Sequence, residues 1–115
     1  MIAVIFEVTP AEGKRDAYLA RAAGLRPVVE QMPGFISVER FQSITNPEKM
    51  LSISFFEDEE ALANWRRTEE HRAAQEAGRK SIFSDYRLRI AHVIRDYGMT
   101  ERAEAPEDSR AIHDS

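Results

Sequence analysis

The chain contains no cysteine. That one absence excludes disulfides, thiolate-held metals and cysteine nucleophiles together. No apolar run approaches the roughly 20 residues a membrane-spanning helix needs, and the opening MIAVIFEV meets acids too soon for a signal peptide. Neither sign of charge dominates: 16 Lys and Arg stand against 20 Asp and Glu, a formal net charge of −4. A nucleic-acid partner would call for a clustered basic surface. The basic pairs here, Lys14-Arg15, Arg66-Arg67 and Arg79-Lys80, each have acids close by and read as solvated helix faces. Glycine-rich phosphate loops and serine-nucleophile elbows are missing, and the EEHR run at 69–72 lacks the second histidine of a zincin helix. These absences leave a soluble cytoplasmic domain with neither nucleic acid nor membrane as partner.

What is present is concentrated. Residues 65–86, WRRTEEHRAAQEAGRKSIFSDY, hold the only tryptophan, a histidine, a glycine and two further aromatics. A stretch that only covered a sheet would be more regular in its apolar spacing, so this one is the candidate wall of a pocket. Around it the elements can be placed. Residues 2–8 read as a strand, and Thr9-Pro10-Ala11-Glu12 as a capping box opening a helix at Pro10. Tyr18, Ala22, Leu25, Val29 and Met32 form that helix's buried stripe, with a kink or break expected at Pro27. Strands follow at 35–43 and 50–56, and Asp58 caps a second helix that Gly78 ends. A last strand spans 87–95. From residue 99 the chain has no apolar period and reads as a flexible polar tail, 99–115, after a single domain of residues 1–98.

The order β-α-β-β-α-β is the split βαβ of α+β, ferredoxin-like folds: a four-stranded antiparallel sheet with two helices on one face. Simple alternation points Phe35 and Phe41 to one face and Ile36 and Val38 to the other. Both faces are therefore partly apolar, and helices on one side cannot cover both. The expectation is a homodimer that packs sheet against sheet.

The blocks PGFISVERFQS at 33–43, NPEKMLSISFFEDEEALANWRR at 46–67, HRAAQEAGR at 71–79 and FSDYRLRIAHVIRDYG at 83–98 resemble the antibiotic biosynthesis monooxygenase superfamily. The resemblance implies a dimeric α+β barrel. It also implies a cofactor-independent monooxygenase acting on a small aromatic, phenolic or quinol molecule without metal or flavin. Such chemistry needs a base, a dry pocket and donors that steady an anion. His71 is the candidate base, because imidazole titrates nearest neutrality. On one continuous helix Trp65 and His71 would face apart; a cap at Thr68-Glu69-Glu70 would break the register and turn both inward. Trp65, Phe83, Tyr86, Arg40, Arg89 and His92 are the candidate substrate contacts. For each a structural role stands beside it: a core anchor for Trp65, a loop clasp for Tyr86, pairing with Glu7 or Glu39 for the arginines, the core or a dimer interface for His92. Two other readings stay open, a non-catalytic or isomerase-like dimer binding a small metabolite and a haem-binding or haem-degrading relative. Against haem, the first strand has no asparagine and His71 follows Trp65 too soon.

Overall fold

A computed structural model describes residues 1–113. Strand β1 (Ile2–Pro10) is followed by helix α1 (Arg15–Val29), strands β2 (Phe35–Gln42) and β3 (Met50–Phe56), and helices α2 (Glu59–Arg66) and α3 (Glu69–Ala77). A π-helical turn, Gly78–Ile82, leads into β4 (Phe83–His92), and a short helix, α4 (Glu107–His113), comes last. The four strands form one antiparallel sheet in the order β2-β3-β1-β4. This is the expected α+β, ferredoxin-like arrangement.

Register decides which side chains meet. Ile2, Val4, Phe6 and Val8 of β1 lie opposite Phe56, Ser54, Ser52 and Met50 of β3, and one face carries them all. Onto it pack two clusters. Ile2, Val29, Phe56, Ala61, Leu62 and Trp65 make the first; Val8, Tyr18, Met50 and Ile82 make the second. The helical stripe read from the sequence is there: Tyr18, Ala22 and Val29 are buried, with Leu25 and Met32 packed beside them.

Local signals held where nothing distant competed. Asp58 caps α2, its carboxylate accepting from the Ala61 N–H at 2.8 Å. The Thr9–Glu12 capping box did not form. Thr9 and Pro10 instead extend β1 along β4, where the Thr9 carbonyl accepts from Ser84 Oγ at 2.9 Å and the Ala11 N–H reaches Ile82 O at 2.7 Å. The chain then turns at Gly13, whose φ of +75° suits glycine, and α1 starts at Arg15. Pro27 does not break α1, because it lies in the last turn and removes a single ladder bond.

Other readings are corrected or refined. A register shift between Phe35 and Ser37 sends Phe35, Val38 and Arg40 to the helix side and leaves Phe41 on the other. Gly78 ends α3 as expected, though with a right-handed φ of −60°; a Cβ there would lie 2.3 Å from the Phe83 ring, so glycine is required for close packing. The aromatic stretch before the last strand belongs to it, since β4 begins at Phe83. In the segment read as a structureless tail, Pro106 and the acids Glu107 and Asp108 start α4, and Arg102 ties it down by donating to Gly98 O and Ser109 Oγ.

Candidate active site

Between the helices and the sheet lies a cavity of about 850 Å³. The chain builds it from a broken helix. Thr68 stops α2 and starts α3: its hydroxyl donates to Trp65 O at 2.8 Å and accepts from the His71 N–H at 3.2 Å. The break removes the angular separation that a continuous helix would impose. Trp65 and His71 therefore meet edge to face with ring centroids 5.2 Å apart, and both line the cavity.

The opposite wall is aromatic. Phe83 packs against Phe6 at 5.6 Å, Tyr18 at 5.9 Å and Tyr86 at 5.9 Å, and Phe6 meets Tyr86 at 5.8 Å. Arg40, Ser52 and Ser54 supply polar groups from β2 and β3. Three buried polar atoms of the cavity's lining residues have no hydrogen-bond partner: Tyr18 OH, Arg40 Nε and His71 Nδ1. Native interiors seldom leave such atoms unmatched, and a cavity holding a ligand or water explains three together.

His71 is held below the usual histidine range, chiefly by burial and secondarily by the Arg66 charge, against a weaker opposing pull from the Arg66 backbone. The ring is therefore neutral at pH 7, so Nδ1 can carry a lone pair. The same shift bears on stability. The unfolded chain takes up a proton near 6.5 and the folded chain only at lower pH. Stability is thus fully kept above pH 6.5 and falls as pH drops from there through the folded value. Thermal melting between pH 7.5 and 5, wild type against His71→Gln, should show the wild type losing more on acidification; parallel curves would refute this.

Of the residues singled out from sequence, the structure brings His71, Trp65, Phe83, Tyr86 and Arg40 to one cavity. It does not bring Arg89 or His92. Arg89 lies on the opposite face of the sheet and pairs with Glu7, which also binds Lys49 at 2.9 Å. The Lys49 and Arg89 hydrogen bonds hold the Glu7 carboxyl below its ordinary pKa. His92 pairs with Ile2 at the far end of β4, away from the cavity wall. Phe6 and Tyr18 went unnoticed because each looked like plain core within its own element. Only the pairing of β1 with β4 brings Phe6 to Phe83 and Tyr86, and only the packing of α1 on the sheet brings Tyr18 to Phe83. Arg66, Arg79 and Lys80, read as solvated, also border the cavity. No three His, Asp or Glu side chains among the described residues group as metal ligands, and no described helix is long and apolar enough to cross a membrane.

Residues 1–77 match the family described as antibiotic biosynthesis monooxygenase. A jasmonate monooxygenase of Pyricularia oryzae is 44% identical over 93 residues, which is 81% of this chain; the chain spans only 43% of that protein's length. The Bacillus subtilis protein YqjZ, uncharacterized, is 30% identical over 81% of this chain and 79% of its own. Among solved structures, Rv0793 from Mycobacterium tuberculosis superposes with a TM-score of 0.76 over 84% of this chain and 98% of its own, at 13% identity. Matched along most of its length by sequence and by fold, the chain belongs to the antibiotic biosynthesis monooxygenase family.

Proposed function

We propose that the chain is a monooxygenase that oxidises a small aromatic, phenolic or quinol substrate in this cavity, without metal or flavin. The observation that carries the reading is the set of three buried, partnerless polar atoms set among the aromatic and aliphatic side chains of the cavity. Neutral His71 takes the substrate's proton through Nδ1. The resulting anion, flanked by Trp65 and the Phe83–Tyr86 wall, passes one electron to dioxygen. The two radicals join in a C–O bond and the peroxide takes up a proton; loss of the remaining hydrogen on that carbon with cleavage of the O–O bond then leaves a carbonyl and releases water. One oxygen atom stays in the product and the other leaves in that water. The Tyr18 hydroxyl, buried and without a partner, is the donor that would steady the anionic oxygen.

Oxygen uptake with hydroquinones, naphthoquinols, anthrones and jasmonate, no cofactor added, tests the reading. Uptake above the uncatalysed rate supports it. None with any of them would move the assignment to a metabolite-binding dimer.

The active form in this proposal is a homodimer through the free sheet face. Ala3, Ile5, Leu51, Ile53, Phe55 and Phe41 alternate with the core residues and turn away from the helices. The chain measures 53 × 35 × 20 Å with a radius of gyration of 16.6 Å, against about 13 Å for a compact domain of 100 residues. Its thinnest dimension fits two layers, and on the back of the sheet Phe41 is exposed while Ile5, Leu51, Ile53 and Phe55 are only partly covered. Light scattering should give twice the 13.2 kDa chain mass; a monomer at micromolar concentration would refute the pairing.

A further inference from the structure

The cavity carries a charge opposite to that of the chain. The sequence is net acidic at −4, yet arginines from five different elements border the cavity: Arg21 of α1, Arg40 of β2, Arg66 of α2, Arg72 of α3 and Arg79 of the π turn. None of the five has an acidic partner within ion-pair distance among the described residues. The one acid on the wall, Glu76, is taken by Lys80 at 2.6 Å. A solvated helix face would bring its acids along with its bases. Five elements converging with unpaired cations build a positive potential focused on one concave space.

Four of these arginines are exposed at the rim, whereas Arg40 is half-buried on the sheet floor. Its Nε is buried without a partner, and across the ladder stands the buried Ser52. A guanidinium partly removed from water and left unpaired is unfavourable until an anion meets it. Its planar fork matches the two oxygens of a carboxylate side by side. A single half-buried cation also suits one negative charge better than the two of a phosphate monoester.

We propose that the molecule taken by this cavity is an aromatic carboxylic acid, its carboxylate anchored by Arg40. The inference adds a substrate class to the oxygenase reading and rests on the cavity being the reaction chamber. The rim arginines draw the anion in, Arg40 fixes one end, and the oxidisable ring lies toward Trp65 and His71.

Calorimetric binding of 1-hydroxy-2-naphthoate, its methyl ester and 1-naphthyl phosphate tests the anchor. The acid should bind at least about tenfold tighter than the ester, as a charge-assisted hydrogen-bonded pair warrants. Arg40→Gln should bring the acid down to the ester's affinity while the ester stays within about twofold. Arg40→Lys, keeping the charge but losing the fork, should fall between. Should Arg40→Gln fail to fold, the acid-to-ester ratio of the wild type decides. Equal binding of acid and ester, tighter binding of the phosphate, or an acid preference surviving in Arg40→Gln would overturn the proposal. Oxygen uptake with 1,4-dihydroxy-2-naphthoate separates the two readings. Acid-selective binding without uptake sinks the oxygenase and keeps the anchor, and uptake without acid selectivity does the reverse.

Discussion

His71→Ala should lower cofactor-free oxygen uptake about a hundredfold, the scale at which a positioned general base contributes. It should do so with little effect on folding. The backbone N–H of residue 71 keeps its bond to Thr68 Oγ1, alanine suits the first turn of α3, and the imidazole is only half-buried. The wild-type rate should also decline as pH falls below His71's lowered pKa, because only the neutral ring accepts a proton. Raising the pH of the assay should restore part of the variant's rate, since a substrate ionised by solvent no longer needs the base. A rate within about threefold of wild type would be too small a loss for a general base, and would rule His71 out of that role.

Trp65→Ala should show the reverse pattern, a large loss of stability that carries little information about chemistry. Trp65 is 8% exposed, belongs to the Ile2–Phe56–Leu62 cluster and supports the His71 ring from the edge. Truncating a buried aromatic of this size costs about 3–5 kcal/mol through lost burial and the space left behind. The existing cavity makes collapse into the gap unfavourable, because its other walls are already spread apart. Urea unfolding of both proteins measures the difference. A loss under about 1 kcal/mol, typical of an ordinary substitution, would mean that Trp65 is not the anchor it looks to be. The two variants together separate what the Trp65–His71 pair does for the fold from what it does for the reaction.

Much of this site was legible before any coordinates. The Thr68 cap gave away the helix break, and with it the meeting of Trp65 and His71; the Phe83–Tyr86 aromatics likewise announced a wall. What was not legible depends on pairing across distance. Thr9-Pro10 carries a good local helix signal, but β4 offers the same residues a ladder about 75 positions later and prevails. The shift beside Phe35 turns Arg40 into the cavity, and alternation counted from the sequence does not contain it. The same limit explains Arg89 and His92. Their residue types suit a pocket, but one faces the wrong side of the sheet and the other lies past the cavity's end. The arginine ring was hidden for a related reason. Arg40, Arg66, Arg72 and Arg79 have acids as sequence neighbours, and only the assembled fold shows that, among the described residues, none of those acids pairs with them.

The strand order has a consequence for how the molecule comes into being. β1 precedes the other strands along the chain, and it sits in the middle of the sheet between β3 and β4. Its hydrogen-bonding edges must wait for residues 50–56 and then 83–92. Pairing across such separations is slow, since loop closure comes before the contacts that reward it. Until β4 arrives, a nascent chain presents IAVIFEV with one edge unpaired, and that is a template for association with other chains. The step that closes the sheet is also the one that sets Phe83 and Tyr86 opposite Phe6. Maturation of the pocket and escape from aggregation are thus one kinetic event, and yield on expression should track the stability of the β1–β4 seam more closely than that of the helices.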